Sequence, residues 1–112
     1  MTIPMTNTAI RTITKEELVQ KMKNSQSVQV INVLDPKHYN LGSIKGSKKI
    51  PADQLNGRLG ELDKSKEIVT FCASYECPAS RKAAENLATQ GFNVCAYEGG
   101  IKEWKEAGFP TE

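Results

Sequence analysis

The chain has 112 residues, enough for one domain with a continuous core and too few for two independent ones. Its 38% hydrophobic and 25% charged residues are those of an ordinary globular protein, which excludes a disordered or fibrous class. Fifteen Lys and Arg against 13 Asp and Glu leave a net charge of +2, short of what a dedicated nucleic-acid binder carries, and no stretch reaches the roughly 18 apolar residues of a membrane span.

Residues 1–9 are polar and aperiodic, which predicts a loose arm ahead of a domain over residues 10–112. That start has neither a basic n-region nor an apolar h-region, so a cytoplasmic protein is expected. A short strand over Ile10–Ile13 precedes Thr14, which forms a capping box with Glu17. Leu18, Val19 and Met22 then give the apolar stripe of a helix ending near Lys23. The β-branched run Val28–Val33 reads as a buried strand, closed by Asp35-Pro36. A loop with His38, Tyr39 and Gly42 leads to a short strand over Ser47–Ile50. Pro51 suits the first turn of a helix, and Leu55, Leu59 and Leu62 have near-helical spacing that Gly57 and Gly60 interrupt.

Ile68–Phe71 is the clearest strand, and Ala83, Ala84, Leu87 and Ala88 mark the clearest helix face, closed by Gly91. Val94–Tyr97 is the last strand and Gly99-Gly100 a turn. Ile101 and Trp104 are the apolar side of a final helix that Gly108 and Pro110 stop. Strands alternating with helices over short connections imply an α/β fold, a parallel sheet with helices on both faces. Ligands of such sheets sit at the carboxyl ends of the strands, where Cys72 falls.

Three cysteines are an odd, low count suited to a reducing compartment, and one histidine with no Cys-x-x-Cys pair offers too few ligands for zinc. No metal or cofactor is expected. The loop after Cys72 runs Ala73, Ser74, Tyr75, Glu76, Cys77, Pro78, Ala79, Ser80, Arg81, with Pro78 suited to the first helical position and Cys77 to the N-cap. Its N–H groups can turn inward as a nest ahead of a helix N-terminus, a setting that favours thiolate over thiol. Such a thiolate suits persulfide formation, disulfide exchange or attack on an oxyanion; the competing reading is a small buried hydrophobe at a strand end.

Cys77 reads either as a resolving thiol or as a helix cap, and Cys95, within a strand, as an inert core thiol. His38 lies on a distant loop and reads as a surface residue. Lys37, His38, Lys45, Lys48 and Lys49 form an acid-free stretch, a solvated face in the first instance and an anion-steering one in the second. Tyr97 and Trp104 read as packing residues. Glu76 would oppose thiosulfate-like dianions while tolerating a protein persulfide or a neutral thiol.

Three segments resemble the rhodanese-like sulfurtransferase family over about Ile10 to Pro110. They are Ile31–Tyr39 with Gly42–Pro51; Ile68–Cys72 with Ser80, Ala83, Ala84, Leu87 and Gly91; and Tyr97-Glu-Gly-Gly-Ile-Lys-Glu-Trp104 with Ala107–Pro110. The resemblance implies a rhodanese-like, five-stranded parallel sheet flanked by helices. It also implies that Cys72 carries sulfane sulfur as a persulfide, taken from a small sulfur donor or a protein persulfide and passed to a thiol acceptor.

The chain departs from the family pattern at Asn32 and Leu34, where Asp and Arg are usual, at Ser43 for His and at Lys45 for Pro. Its loop is two residues longer, with Ala79 where a basic residue often sits. Longer loops also occur in phosphatases and arsenate reductases of the superfamily, but Pro78 stands where those require arginine, which removes the clamp on a phosphoryl group. Three readings follow: a sulfurtransferase centred on Cys72, a non-catalytic partner-binding module, and a thiol-redox or oxyanion-reducing enzyme using Cys72 with Cys77.

Overall fold

A computed structural model describes residues 10–23, 28–34, 42–63, 65–73 and 79–111. The expected arm over 1–9, the Asp35-Pro36 turn, Lys37, His38 and Tyr39 lie outside them. The capping box forms as the spacing dictates: Thr14 Oγ1 accepts from the Glu17 N–H at 3.1 Å, and Glu17 Oε1 accepts from the Thr14 N–H at 2.9 Å. Two otherwise orphaned donors are thereby satisfied, and helix α1 (Lys15–Lys23) starts there.

Four strands, β1 (Val28–Asn32), β2 (Lys48–Lys49), β3 (Glu67–Phe71) and β4 (Val94–Tyr97), form one sheet in the order β2-β1-β3-β4, with every pairing parallel. The fifth strand expected at Ile10–Ile13 is not one. That segment makes a single parallel bridge, Thr12 with Ala96, held by Ile13 N–H to Ala96 O at 3.1 Å and Ala96 N–H to Arg11 O at 3.0 Å. It occupies the fifth position beside β4, but the cap at Thr14 turns the chain into α1 before a longer ladder can form. The helix expected after Pro51 is likewise replaced by two 3-10 turns, Ala52–Gly57 and Leu59–Glu61, separated at Arg58.

Helices α2 (Ala79–Thr89) and α3 (Gly100–Glu106) complete the order. Side chains alternate across a sheet, so individual contacts assign the faces. Thr70 Oγ1 donates to the Ser80 carbonyl and Gln29 meets the backbone of Glu61 and Asp63, which puts α2 and the 3-10 turns on one face. Glu67 binds Lys21 of α1, and Tyr97, two places from Cys95 on the same side, packs edge-on against Trp104 of α3. The second face therefore carries α1 and α3.

The core runs through both layers, with Ile31, Ile68, Phe71, Leu87, Tyr97 and Trp104 at 2% exposure or less. On α2 the buried stripe is Ser80, Ala83, Ala84 and Leu87, a helical i, i+3, i+4, i+7 set. Ala88, expected on that face, is exposed instead, because the stripe begins one turn earlier, at Ser80. Among the described residues no helix is long and apolar enough to cross a membrane.

Candidate functional site

Cys72 directly follows β3, with neighbouring strands on both sides of it. Phe71 O still accepts from Val33 N–H at 3.0 Å, and the chain then leaves the ladder for a different partner. Cys72 O accepts from Ile101 N–H and Ala73 O from Lys102 N–H, both at 2.9 Å, so the first amides of α3 hold the start of the loop. Gly100, at φ +69°, makes this approach possible: a Cβ there would lie 2.6 Å from the Ala73 carbonyl carbon and 2.7 Å from the Cys72 and Ala73 oxygens. Gly100, read from the sequence as part of a turn and of a segment that resembles the family, thus belongs to the site. A glycine pair directly before an amphipathic helix was the available signal.

The far end of the loop is also anchored. Ser80, 1% exposed, has its carbonyl bound by Thr70 Oγ1 at 2.7 Å, which fixes the first turn of α2 on β3. Among the described residues the Ser80 hydroxyl itself has no hydrogen-bond partner, leaving a buried donor beside the start of α2. Arg81 is exposed and its Nη1 lies 3.6 Å from Glu98 Oε2 on the β4–α3 turn. Ala73 and Ala79 are half-buried. Ser74, Tyr75, Glu76, Cys77 and Pro78 lie outside the described residues.

Cys72 is 2% exposed and disulfide-bonded, so the free thiolate inferred from the sequence is the reduced form of what the structure holds. Cys95 is a free thiol within β4 and fully buried; burial, and secondarily the Glu67 carboxylate, pushes it up to about 11. At neutral pH it stays protonated and inert, as its place in a strand suggested.

Two of the positions that depart from the family pattern, Asn32 and Ser43, join Ser47 in one polar network. Asn32 Nδ2 donates to Ser43 Oγ at 3.2 Å, Ser43 Oγ and Ser47 Oγ are 2.6 Å apart, and Ser47 Oγ donates to Ile44 O at 2.6 Å. Asn32 Oδ1 accepts from Leu34 N–H at 2.9 Å. Asn32 and Ser43 are buried, and this neutral chain satisfies them without any buried charge. Asn32 pairs with Phe71 across the sheet, so the network braces the strand ends next to Cys72.

Lys45 and Lys48, read as part of a basic stretch, line a cleft of about 400 Å³ with Met22, Val28, Val30 and Lys66. It lies toward the amino ends of β1 and β3, away from Cys72, and Lys48 is paired with Glu61 at 3.3 Å. The structure does not bring these lysines to the cysteine. Tyr97 and Trp104 are structural, as expected: Tyr97 OH donates to Glu103 Oε1 at 2.8 Å and Trp104 Nε1 to Pro110 O at 2.7 Å.

The family model for the rhodanese-like domain matches residues 14–107. The thiosulfate sulfurtransferase GlpE of Shewanella oneidensis is 34% identical over 92 residues, covering 81% of this chain and 88% of its own. The HTH-type transcriptional regulator Rv0324 of Mycobacterium tuberculosis is 30% identical over 100 residues, where 89% of this chain spans only 44% of the relative. Among solved structures, a rhodanese-related protein from Thermoplasma volcanium superposes with a TM-score of 0.79 at 31% identity, covering 91% of this chain and 97% of that one.

Proposed function

This chain belongs to the rhodanese-like domain family, and on that premise we propose that it is a sulfurtransferase or sulfur carrier working through Cys72. The observation that carries the reading is the placement of Cys72 at the carboxyl end of an interior parallel strand, with its carbonyl and that of Ala73 fixed by the α3 amides. The relatives named as sulfurtransferases support the same chemistry.

With thiosulfate as donor, the reduced Cys72 thiolate attacks the outer sulfur, the S–S bond breaks and sulfite leaves with the bonding pair. With a protein or small-molecule persulfide, the leaving group is the donor's thiolate. An acceptor thiolate then attacks the outer sulfur of the Cys72 persulfide and regenerates the Cys72 thiolate. The α2 N-terminus and the Ser80 hydroxyl are suited to stabilise the anionic sulfur.

Cys77 is proposed as the resolving thiol: its thiolate would attack the inner sulfur of the protonated persulfide, releasing hydrosulfide and leaving a disulfide. The disulfide state of Cys72 favours this branch and supports a second reading, a thiol-redox enzyme. Substrate contacts are proposed for Ala73, Ser74, Tyr75, Glu76, Ala79, Ser80 and Arg81, and a cytoplasmic setting fits a thiol kept reducible.

Mass spectrometry separates the readings. Reduced wild type, Cys72→Ser and Cys77→Ser are exposed to thiosulfate or cysteine persulfide. A gain of about 32 Da lost only in Cys72→Ser supports sulfur transfer. Absence of any adduct in Cys77→Ser, where the persulfide cannot be resolved, with every donor would sink it, and a two-dalton loss that requires both cysteines, proceeds with a disulfide oxidant in place of a sulfur donor and releases no hydrosulfide would establish the redox reading instead.

A further inference from the structure

The described ends of the Cys72 loop are pinned, one to α3 and the other to β3, and an ion pair joins residues beside the two anchors. Arg81 stands one residue after Ser80, whose carbonyl is held by Thr70, two residues before Cys72. Glu98 stands two residues before Gly100, whose backbone presses on the Cys72 and Ala73 carbonyls. Both charged residues are thus tied, through these anchors, to the residues that flank Cys72. Their charged ends meet at 3.6 Å, with the side chains 49% and 31% exposed.

An ion pair this exposed adds only a marginal share of stability, so its placement is not explained by the fold. Its effect on charge is larger. A guanidinium next to a helix N-terminus would make the approach to Cys72 attractive to anions, above all to dianions. The Glu98 carboxylate engages that guanidinium and cancels much of its field.

We propose that the Glu98–Arg81 pair sets the charge selectivity of the approach to Cys72: Glu98 cancels the attraction that Arg81 alone would exert on sulfur oxyanions, so that neutral and singly charged sulfur partners compete better with dianions. Glu98 is a specificity determinant in this scheme; it takes no part in bond making. The inference rests on Cys72 exchanging sulfur for its biological sense, but the field itself is measurable without any sulfur chemistry.

The test uses the reduced full chain and compares alkylation of Cys72 by iodoacetate, an anion, with alkylation by neutral iodoacetamide. In both, the thiolate displaces iodide, and peptide mapping reads Cys72 alone. In a nearly aqueous dielectric of about 60, a unit charge removed at a separation of about 8 Å changes a monoanion's encounter roughly threefold and a dianion's roughly tenfold. Glu98→Gln should therefore raise the iodoacetate-to-iodoacetamide rate ratio about threefold and Arg81→Gln should lower it about threefold. The double variant, again neutral, should return near wild type.

The differences should shrink in about 1 M salt, where the screening length is about 3 Å. In sulfur loading, Glu98→Gln should improve capture from thiosulfate, a dianion, about tenfold and capture from cysteine persulfide, a net monoanion, only about threefold. Unchanged ratios in both single variants would overturn the inference, as would equal shifts for the charged and neutral reagents. Shifted ratios with no sulfur loading from any donor would uphold the electrostatic role and refute the sulfurtransferase reading.

Discussion

Gly100 is the residue on which the position of Cys72 most directly depends. Its positive φ disfavours any L side chain, and a Cβ would enter the carbonyls of residues 72 and 73. Gly100→Ala should cost about 2 kcal/mol or more, from the left-handed conformation plus the displaced contact. Thermal unfolding gives the stability change, and the rate of Cys72 alkylation after reduction gives the displacement. An alanine variant with wild-type stability and wild-type alkylation would refute the clamp. Asn32 supports the same region from the other neighbouring strand. Asn32→Leu removes two hydrogen bonds, taking the side-chain acceptor from the buried Leu34 N–H and leaving Ser43 Oγ with Ser47 alone, which should destabilise the protein by about 1–3 kcal/mol in urea titration. Asn32→Ala together with Ser43→Ala should cost less than the sum of the two single changes, because the groups are coupled.

Helix α1 shows how a local signal fixes an element and its neighbour together. Thr14→Ala should lose about 1 kcal/mol through the vacated cap, read as a lower urea midpoint with an unchanged slope; an unaltered midpoint would mean the cap is replaced by solvent without cost. The same Thr14 explains the missing fifth strand: Ile10–Ile13 has strand composition, but the cap ends the extended run after one bridge to Ala96. Long periodic segments were legible for the same physical reason that they are stable. β3, β4, α2 and α3 carry buried runs or stripes that only one period satisfies. The segment after Pro51 carried helical spacing with Gly57 and Gly60 inside it, and settled as 3-10 turns. At the site, Cys72 was legible because a cysteine between a clear strand and a clear helix has few other places to be. The clamp at Gly100 and the Glu98–Arg81 pair were not, since both are contacts between segments nearly thirty or fewer than twenty residues apart, and no local pattern encodes them.

Across the molecule, the polar ties between layers are set so that acid and alkali each loosen a different one. Glu61 joins the 3-10 segment to edge strand β2, bonded to Arg58 at 2.6 and 3.0 Å and to Lys48 at 3.3 Å. The Arg58 hydrogen bonds, with a smaller part from Lys48, hold its carboxyl down at about 2, against an ordinary 4.5. A carboxyl depressed in the folded state contributes stability that is complete above pH 4.5 and is lost as pH falls toward 2. Cys95 behaves oppositely. Burial raises its thiol from 9.0 to about 11, so the folded state retains a proton that the unfolded chain releases, and stability is complete below pH 9 and lost as pH rises toward 11. The melting temperature should therefore fall at both ends of the pH range. Glu61→Gln should flatten the acid limb between pH 4.5 and 2 while leaving the alkaline limb as it is. Cys95→Ala should do the reverse between pH 9 and 11, after allowance for the volume lost from the core. Melting curves of the three proteins across pH 2–11 decide the matter, and limbs that stay parallel to wild type in both variants would place the pH sensitivity in other groups.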